Sequence, residues 1–341
     1  MSSAAAVGDS AVSAPVLELV DLTVRYPVGG GIAGRRHATV VHAVEQVSLT
    51  VGTGEIVALV GESGCGKSTL ARTVAGIQQP AGGRVMLDGV SLAELRGAAA
   101  TSHRRRIQLV HQDPYDALDP RLSVRSIVTE GLRIHRVPRA ERDAAVRRAL
   151  ERAGLAPAGR VLDRLPHELS GGQRQRVAIA AAIALTPRLL VADEPVSMLD
   201  VSIRASVLRL FDELRRDGLG ILFITHDLVS AAVLADRVAV MYLGRIVEEG
   251  PARRVLRQPE HPYTRALVSA VPRRDQISRT GPDLVSGEPP DAAAPPPGCA
   301  FSPRCPVAET RCSTAVPALR PVADGHRAAC LRVGSPATRA G

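Results

Sequence analysis

The sequence predicts an α/β fold, on two observations. Four short apolar runs have the length of buried strands, at residues 56–60, 107–112, 189–195 and 220–227, and three of them end in polar side chains. The first run leads through a glycine-rich loop into a segment of helical character at residues 70–75. Ligands bind at the carboxyl ends of parallel strands in α/β proteins, so the pattern also predicts a site at that edge.

The composition limits the classes of protein to consider. A chain of 341 residues predicts about two domains and has ample length for a buried core. Its net charge of +9 attracts anionic partners such as lipid, nucleotide or nucleic acid. Arginine and alanine are abundant and asparagine is absent, so the arginine excess is not by itself a nucleic-acid signal. Aromatic residues make up 2% of the chain, which excludes a base-stacking surface of the single-strand-binding kind.

The N-terminal segment carries no targeting pattern. Residues 1–15 are small and polar, and we expect a disordered tail there. They lack the basic region and following apolar region of a signal peptide. No apolar stretch approaches the roughly 18 residues of a membrane-spanning helix. We therefore expect a cytosolic chain whose thiols stay reduced.

The elements around the apolar runs follow from periodicity. Strands are predicted at residues 16–26, 40–51 and 84–89. Tyr26 ends the first of them, where it is either an ordinary strand-end aromatic or a platform for a flat ring. Residues 123–185 look mostly helical, with clear periodicity at 140–152.

The glycine-rich loop has the context of a phosphate-binding loop. It comprises Gly61, Glu62, Ser63, Gly64, Cys65, Gly66, Lys67, Ser68 and Thr69. Glycines let consecutive backbone N–H groups turn inward around an anion, and the helix start adds partial positive charge. Lys67, the only lysine in the chain, can reach the β- and γ-phosphates, and the Ser68 hydroxyl can bind Mg²⁺. A chance glycine-rich turn would lack the flanking strand and helix.

Polar residues at three other strand ends complete a candidate catalytic site. Asp193 and Glu194 follow a buried strand, where adjacent carboxylates are costly unless a cation or base chemistry uses them. We expect Asp193 to hold Mg²⁺ and Glu194 to act as the general base for water. Gln112 and His226 end two further strands. A lone strand-end histidine is more often structural, but here several polar strand ends point to one site.

A Ser-Gly-Gly turn opens another long helix. Its residues are Ser170, Gly171, Gly172 and Gln173. Such a helix start can hold phosphate, and a merely capped helix is the alternative.

These motifs stand in an order that resembles the ATP-binding cassette (ABC) ATPases. Many NTPases share a phosphate loop, whereas Leu-Ser-Gly-Gly-Gln followed by Asp193, Glu194, Asp200 and His226 is specific to this family. The resemblance covers residues 16–255, which we expect to form the nucleotide-binding domain. It implies a P-loop NTPase fold with a RecA-like core and two subdomains. Residues 16–51 and 84–89 would supply the antiparallel β-subdomain, and residues from about 114 to 180 the helical one.

The resemblance also implies roles for the site residues of an ATPase. In this family two cassettes pair head to tail around two ATP molecules. Ser170, Gly171, Gly172 and Gln173 would therefore bind ATP held by the other subunit, and Asp200 would bridge the two subunits. Gln112 would contact Mg²⁺ and the attacking water. His226 would contact the γ-phosphate and position that water, and Tyr26 would stack on the adenine.

The remaining residues, 256–341, indicate a branch of the family. A His-Pro-Tyr-Thr sequence at 261–264 and a proline-rich stretch at 282–298 resemble the ATPase subunits of oligopeptide and dipeptide importers, in particular the second of their two ATPases. The resemblance implies a peripheral protein at the cytoplasmic face of the inner membrane. Its partners would be two permease subunits, a second, related cassette and, indirectly, an extracytoplasmic peptide-binding protein.

Two other functions stay open beside peptide import. Nickel and glutathione importers share this tail, and nothing in such a subunit touches the transported substrate. A soluble ABC ATPase acting on nucleic acid is less favoured, because such proteins usually carry two cassettes or large insertions. We therefore expect no nucleic-acid partner.

Four of the five cysteines lie in this C-terminal extension. They are Cys299, Cys305, Cys312 and Cys330, with the spacing C-x5-C-x6-C-x17-C. A reducing compartment disfavours disulfides, which leaves a Cys₄ site for zinc or an iron–sulfur cluster, or free thiols. The absence of paired C-x2-C sequences weighs against a zinc ribbon. Because importers of the resembled branch can carry one on such a tail, we expect a [4Fe–4S] cluster, with Zn²⁺ as the alternative.

Overall fold

The computed structural model of the protein describes residues 14–28, 39–113, 117–271 and 287–333. The expected disordered tail at residues 1–15 lies almost wholly outside these ranges, as does the start of the proline-rich stretch. Within them the chain forms two β-sheets and a set of helices.

The elements are numbered in chain order. The strands are β1 (Leu17–Val28), β2 (Thr39–Val51), β3 (Ile56–Val60), β4 (Gly82–Leu87), β5 (Val90–Ser91), β6 (Ile107–Val110), β7 (Leu189–Asp193), β8 (Gly220–Thr225), β9 (Arg237–Tyr242), β10 (Arg245–Pro251), β11 (Arg320–Ala323) and β12 (His326–Ala328). The α-helices are α1 (Lys67–Val74), α2 (Gly97–Arg105), α3 (Val124–Ile134), α4 (Arg139–Arg152), α5 (Gly171–Ile183), α6 (Val201–Arg216), α7 (Leu228–Leu234), α8 (Ala252–Arg257) and α9 (Pro262–Ser269).

The smaller sheet is antiparallel and lies where the sequence predicts a β-subdomain. Its four strands stand in the order β2-β1-β4-β5. Alternate residues of β2, namely Val47, Leu49 and Val51, are buried, as expected of a strand with one face in the core. They share a single apolar cluster with β3 and α1, so the smaller sheet packs directly behind the phosphate loop.

The larger sheet brings the predicted strand ends together. Its order is β11-β12-β10-β9-β3-β8-β7-β6, and the five strands from β9 to β6 run parallel. Strands β3, β7 and β8 are buried along their whole length, which explains their unbroken apolar sequences. Because these neighbours are parallel, the residues that follow them meet at one edge.

The predicted helical region divides into three helices, α3, α4 and α5, which share one apolar core. The segment between α4 and α5 is not α-helical. Gly154, in the left-handed region at φ 77°, ends α4, and Pro157 and Pro166 introduce two short 3₁₀ turns. No helix within the described ranges is both long and apolar enough to cross a membrane.

The C-terminal residues are built into the larger sheet. Strand β12 pairs antiparallel with β10, so β11 and β12 extend the large sheet. The fully buried carboxylate of Glu248 in β10 accepts hydrogen bonds from the backbone N–H groups of Glu260 (2.8 Å) and His261 (2.9 Å), and lies 2.7 Å from His326 Nε2. The boundary expected at residue 255 falls inside α8.

Candidate functional site

The phosphate loop turns tightly between β3 and α1. Gly64 and Gly66 have φ values of 79° and 108°, in the region that favours glycine. A Cβ on Gly66 would also collide with the carbonyl oxygen of Ala43 in β2. The loop therefore requires glycine at residue 66 for both its conformation and its contact with the smaller sheet.

Lys67 is held at the mouth of this loop. Its side chain is almost buried, and Nζ donates hydrogen bonds to the carbonyl oxygens of Gly61 (2.8 Å) and Glu62 (2.7 Å). Cys65 Sγ lies 3.6 Å from the same nitrogen. Burial raises the pKa of the Cys65 thiol, which fits a small packed side chain better than a reactive one.

Ser68 and Asp193 form an oxygen-rich pair. The Ser68 hydroxyl, in the first turn of α1, donates to Asp193 Oδ1 at 3.3 Å. Asp193 ends β7 and is largely buried, and this burial raises the pKa of its carboxyl group, although the Ser68 hydrogen bond opposes the shift. Two hard oxygen donors beside a phosphate loop suit Mg²⁺, whose charge would stabilise the buried carboxylate.

The Glu194 carboxylate contacts the side chains of two other strand-end residues. Gln112 Nε2 donates to Glu194 Oε2 at 3.2 Å, and His226 Nδ1 lies 3.0 Å from the same oxygen. Glu194 and His226 directly follow β7 and β8, and Gln112 lies two residues beyond the end of β6; the three strands are neighbours in the sheet. Glu194 has a φ of 48°, and its backbone N–H donates to Ile224 O at 2.9 Å. This strained turn at the strand end fixes the direction of the carboxylate.

The Ser-Gly-Gly-Gln turn begins α5 as a capping box. Ser170 Oγ accepts from the Gln173 backbone N–H (3.3 Å), and Gln173 Oε1 accepts from the Ser170 N–H (3.0 Å). A Cβ on Gly172 would lie 2.5 Å from Cγ2 of Ile203 in α6. The two bonds of the capping box join Ser170 and Gln173 to each other and not to the phosphate loop of the same chain.

Asp200 and Tyr26 lie outside the strand-end group. Asp200 caps α6, since its Oδ1 accepts from the Ile203 N–H at 3.0 Å, and this bond lowers the pKa of its carboxyl group. Tyr26 is half-buried in β1, opposite Val41, and packs against the core behind the phosphate loop. Its expected stacking on adenine stays a prediction.

The four C-terminal cysteines line one small cavity of about 10 Å³. All are free thiols, and burial raises the pKa of Cys299 and of Cys305. Yet no group of three or more cysteine, histidine or acidic side chains in the described ranges has an arrangement that could hold a metal ion. The structure thus gathers the donor set of a Cys₄ site without its coordination geometry.

Two residues beside the site were missed by the sequence reasoning. Tyr263 Oη accepts a hydrogen bond from the backbone N–H of Glu62 in the phosphate loop, and Arg304 pairs with the Glu62 carboxylate. The sequence offered one usable signal. Aromatic residues are scarce, yet two of them fall in the C-terminal region, at Tyr263 and Phe301.

Comparison with known proteins agrees with these motifs. The ABC transporter family matches residues 44–197, and the oligopeptide/dipeptide transporter C-terminal region matches residues 247–312. A probable peptide ABC transporter ATP-binding protein of Sinorhizobium fredii is 44% identical, over 96% of this chain and 93% of its own length. An oligopeptide transport ATP-binding protein of Bacillus subtilis is 42% identical, over 92% and 96%.

Solved structures share the fold. The dimeric, post-hydrolysis structure of an ATP-binding cassette bound to ADP and phosphate superposes with a TM-score of 0.61 and 29% identity, and it covers 70% of this chain and 99% of that one.

A glutathione import ATP-binding protein of Pectobacterium atrosepticum is 48% identical over 78% of this chain but only 42% of its own length. The chain therefore belongs to the ABC transporter family, among the ATP-binding proteins that carry the oligopeptide/dipeptide transporter C-terminal region.

Proposed function

We propose that this chain is the ATP-hydrolysing subunit that powers the import of peptides through a membrane permease. The observation that carries the ATPase assignment is the convergence of Gln112 and His226 on the Glu194 carboxylate beside a phosphate loop. The peptide assignment is supported by the matching C-terminal region and by relatives named for peptide transport or peptide import.

The phosphate loop and Lys67 would bind the triphosphate. Inward N–H groups and the N-terminus of α1 offer hydrogen bonds and partial positive charge, and Lys67 adds a full charge. Ser68 and Asp193, with Gln112, would hold Mg²⁺, which when bound neutralises phosphate charge. The remaining task is phosphoryl transfer to water, for which positioning matters more than covalent chemistry.

Glu194 would accept the proton of the attacking water. The water oxygen forms a bond to the γ-phosphorus while the bond from that phosphorus to the β,γ-bridging oxygen breaks, and ADP leaves. Gln112 and His226, which share Glu194 Oε2, would orient this water and steady the carboxylate.

A second cassette would complete each site. Ser170, Gly171, Gly172 and Gln173 would face ATP bound by the partner cassette, with Asp200 at the interface and Tyr26 against the adenine. Two permease subunits, a related second ATPase and an extracytoplasmic peptide-binding protein would form the rest of the assembly. In this arrangement the chain would lie at the cytoplasmic face of the membrane.

The four C-terminal cysteines would be the ligands of a [4Fe–4S] cluster, with Zn²⁺ as the alternative, and the cavity of about 10 Å³ between them would have to widen to admit the cluster. Four thiols around one cavity are the donor set of either site. Protein purified without air should absorb broadly at about 400 nm and contain iron and sulfide if the cluster is present. Colourless protein with one zinc per chain would replace the cluster by zinc, and metal-free protein would leave four thiols.

The transported substrate is tested by reconstitution. Vesicles carrying the complete transporter, loaded with ATP, should accumulate labelled di- or oligopeptides when the binding protein is supplied. Glutathione import is the second candidate, because one relative is named for it. Uptake of glutathione in preference to unrelated peptides would replace peptide import by glutathione import as the assignment. ATP hydrolysis without uptake of either substrate would reject both assignments.

A further inference from the structure

Glu62, the second residue of the phosphate loop, is held by hydrogen bonds to two residues of the C-terminal region. Its backbone N–H donates to Tyr263 Oη at 2.9 Å. Its two carboxylate oxygens accept from Arg304 Nη1 (2.9 Å) and Nη2 (3.2 Å). A bidentate arginine–carboxylate pair fixes orientation as well as distance. Glu62 is therefore held at both its main chain and its side chain.

Tyr263 and Arg304, the two residues that bind Glu62, are themselves held in place by packing. Tyr263 is fully buried in α9, and its ring lies 4.6 Å from that of Tyr242 and 5.5 Å from that of Phe301, centroid to centroid. The Arg304 side chain is only 8% exposed, and Nη1 also lies 3.3 Å from Tyr242 Oη. Three of the chain's seven tyrosine and phenylalanine residues thus form one cluster beside the loop.

Glu62 is also hydrogen-bonded to Lys67, the lysine proposed to bind phosphate. The carbonyl oxygen of Glu62 accepts from Lys67 Nζ at 2.7 Å. A shift of Glu62 would displace this oxygen and with it the resting position of the ammonium group. The C-terminal region can therefore act on the charge that meets the phosphates although it contributes no side chain to the loop itself.

We propose that Tyr263 and Arg304 are positioning residues that set the phosphate loop and Lys67 for ATP by holding Glu62. The proposal rests on the loop binding ATP. It assigns a nucleotide-site role to the C-terminal region, beyond any role in partner choice or metal binding. Residues joined in one hydrogen-bond network typically affect one another by a factor of about 2 to 150 in an equilibrium constant.

The test measures Mg-ATP binding to the full-length chain by titration calorimetry. Arg304→Gln should weaken binding by roughly tenfold and Tyr263→Phe by a few-fold, the latter while keeping the ring in its cluster. Arg304→Lys should recover part of the loss, since it keeps the charge but not the fork. The double variant Glu62→Gln/Arg304→Gln should bind no more weakly than Arg304→Gln, because both changes break the same pair.

Arg311→Gln is the matched control. Arg311 lies in the same region and pairs with Glu309 at 2.7 Å, but on the exposed surface. Circular dichroism and melting of each variant show whether it is folded. Affinities of the Arg304 and Tyr263 variants equal to that of the control would overturn the proposal, as would losses that only follow the folded fraction. Lys67→Ala tests the ATP assignment separately, since unchanged binding there would reject the loop as the ATP site.

Discussion

A single carboxylate oxygen joins the three strand-end side chains that we propose carry out hydrolysis. Glu194 Oε2 lies 3.2 Å from Gln112 Nε2 and 3.0 Å from His226 Nδ1, so both neighbours contact the same acceptor oxygen. The residue types and the strand ends were predictable, because polar residues after apolar runs are visible in the sequence. The shared oxygen was not predictable, since it depends on the left-handed turn at Glu194.

Changing Glu194 to glutamine should separate ATP binding from hydrolysis. Glutamine keeps the size and the hydrogen bond to Gln112 but cannot take a proton, so hydrolysis should fall by about 10²- to 10⁴-fold while ATP stays bound. Phosphate release and retained nucleotide measure the two effects. Glu151→Gln, on the exposed face of α4, is the control. Hydrolysis at the wild-type rate would remove Glu194 from the role of base.

His261 predicts a pH dependence of folding. Burial lowers the pKa of His261 to about 4, even though the Glu248 carboxylate opposes the shift. The unfolded chain therefore binds the proton first as the pH falls below the ordinary histidine pKa of about 6.5. Stability is full above that value and declines toward pH 4, with a loss of about 2 kcal/mol between pH 7 and pH 5.

The matched variant for this prediction is His261→Asn. His261 Nδ1 accepts from the Tyr263 N–H at 3.1 Å as the cap of α9, and asparagine can cap in the same way without titrating. Denaturant unfolding at pH 5 and pH 7 gives the comparison. An equal loss of stability in both proteins would show that His261 does not cause it.

Helices α5 and α6 are joined at a point that no periodicity reveals. The sequence correctly placed a helix after Ser170, because a serine followed by glycines and glutamine is a capping pattern. It did not show that Gly172 abuts Ile203, since that contact depends on how two distant helices cross. The signature glycine therefore has a packing reason as well as a proposed nucleotide contact.

Gly172→Ala tests this packing. The added methyl would lie 2.5 Å from Ile203 Cγ2, so we expect a destabilisation of about 1–3 kcal/mol from overpacking. Ile203→Ala in the same chain removes that methyl and should recover much of the loss. A double-mutant cycle of urea unfolding measures the coupling. Additive effects would show that α5 and α6 adapt without strain.

At the scale of the whole molecule, the C-terminal region is part of the large sheet, which the sequence did not indicate. The shift in composition after residue 256 favoured a separate extension. In the structure β12 pairs Ala328 and Arg327 with Glu248 and Glu249 of β10. Pairing between strands this far apart in sequence leaves no periodic signal, and β11 and β12 are too short to stand out.

Glu248→Gln should loosen this attachment. Glutamine would turn an N–H group toward donors that now meet a carboxylate, and an unmatched buried polar group costs about 1–3 kcal/mol. We expect faster tryptic cleavage after residue 257 and a lower melting temperature. Glu260→Gln, at a partly exposed side chain, should leave both unchanged. Equal cleavage of the two variants would show that Glu248 does not anchor the region.

The pair between Glu62 and Arg304 also has a consequence during synthesis of the chain. Its partners are 242 residues apart, so at about 5–20 residues per second the ribosome needs roughly 10–50 s to supply the second after the first. Until then the phosphate loop of the nascent chain lacks its outer support. A truncated or stalled chain would thus bind ATP more weakly than the complete chain. High nucleotide affinity would therefore distinguish complete molecules from incomplete ones.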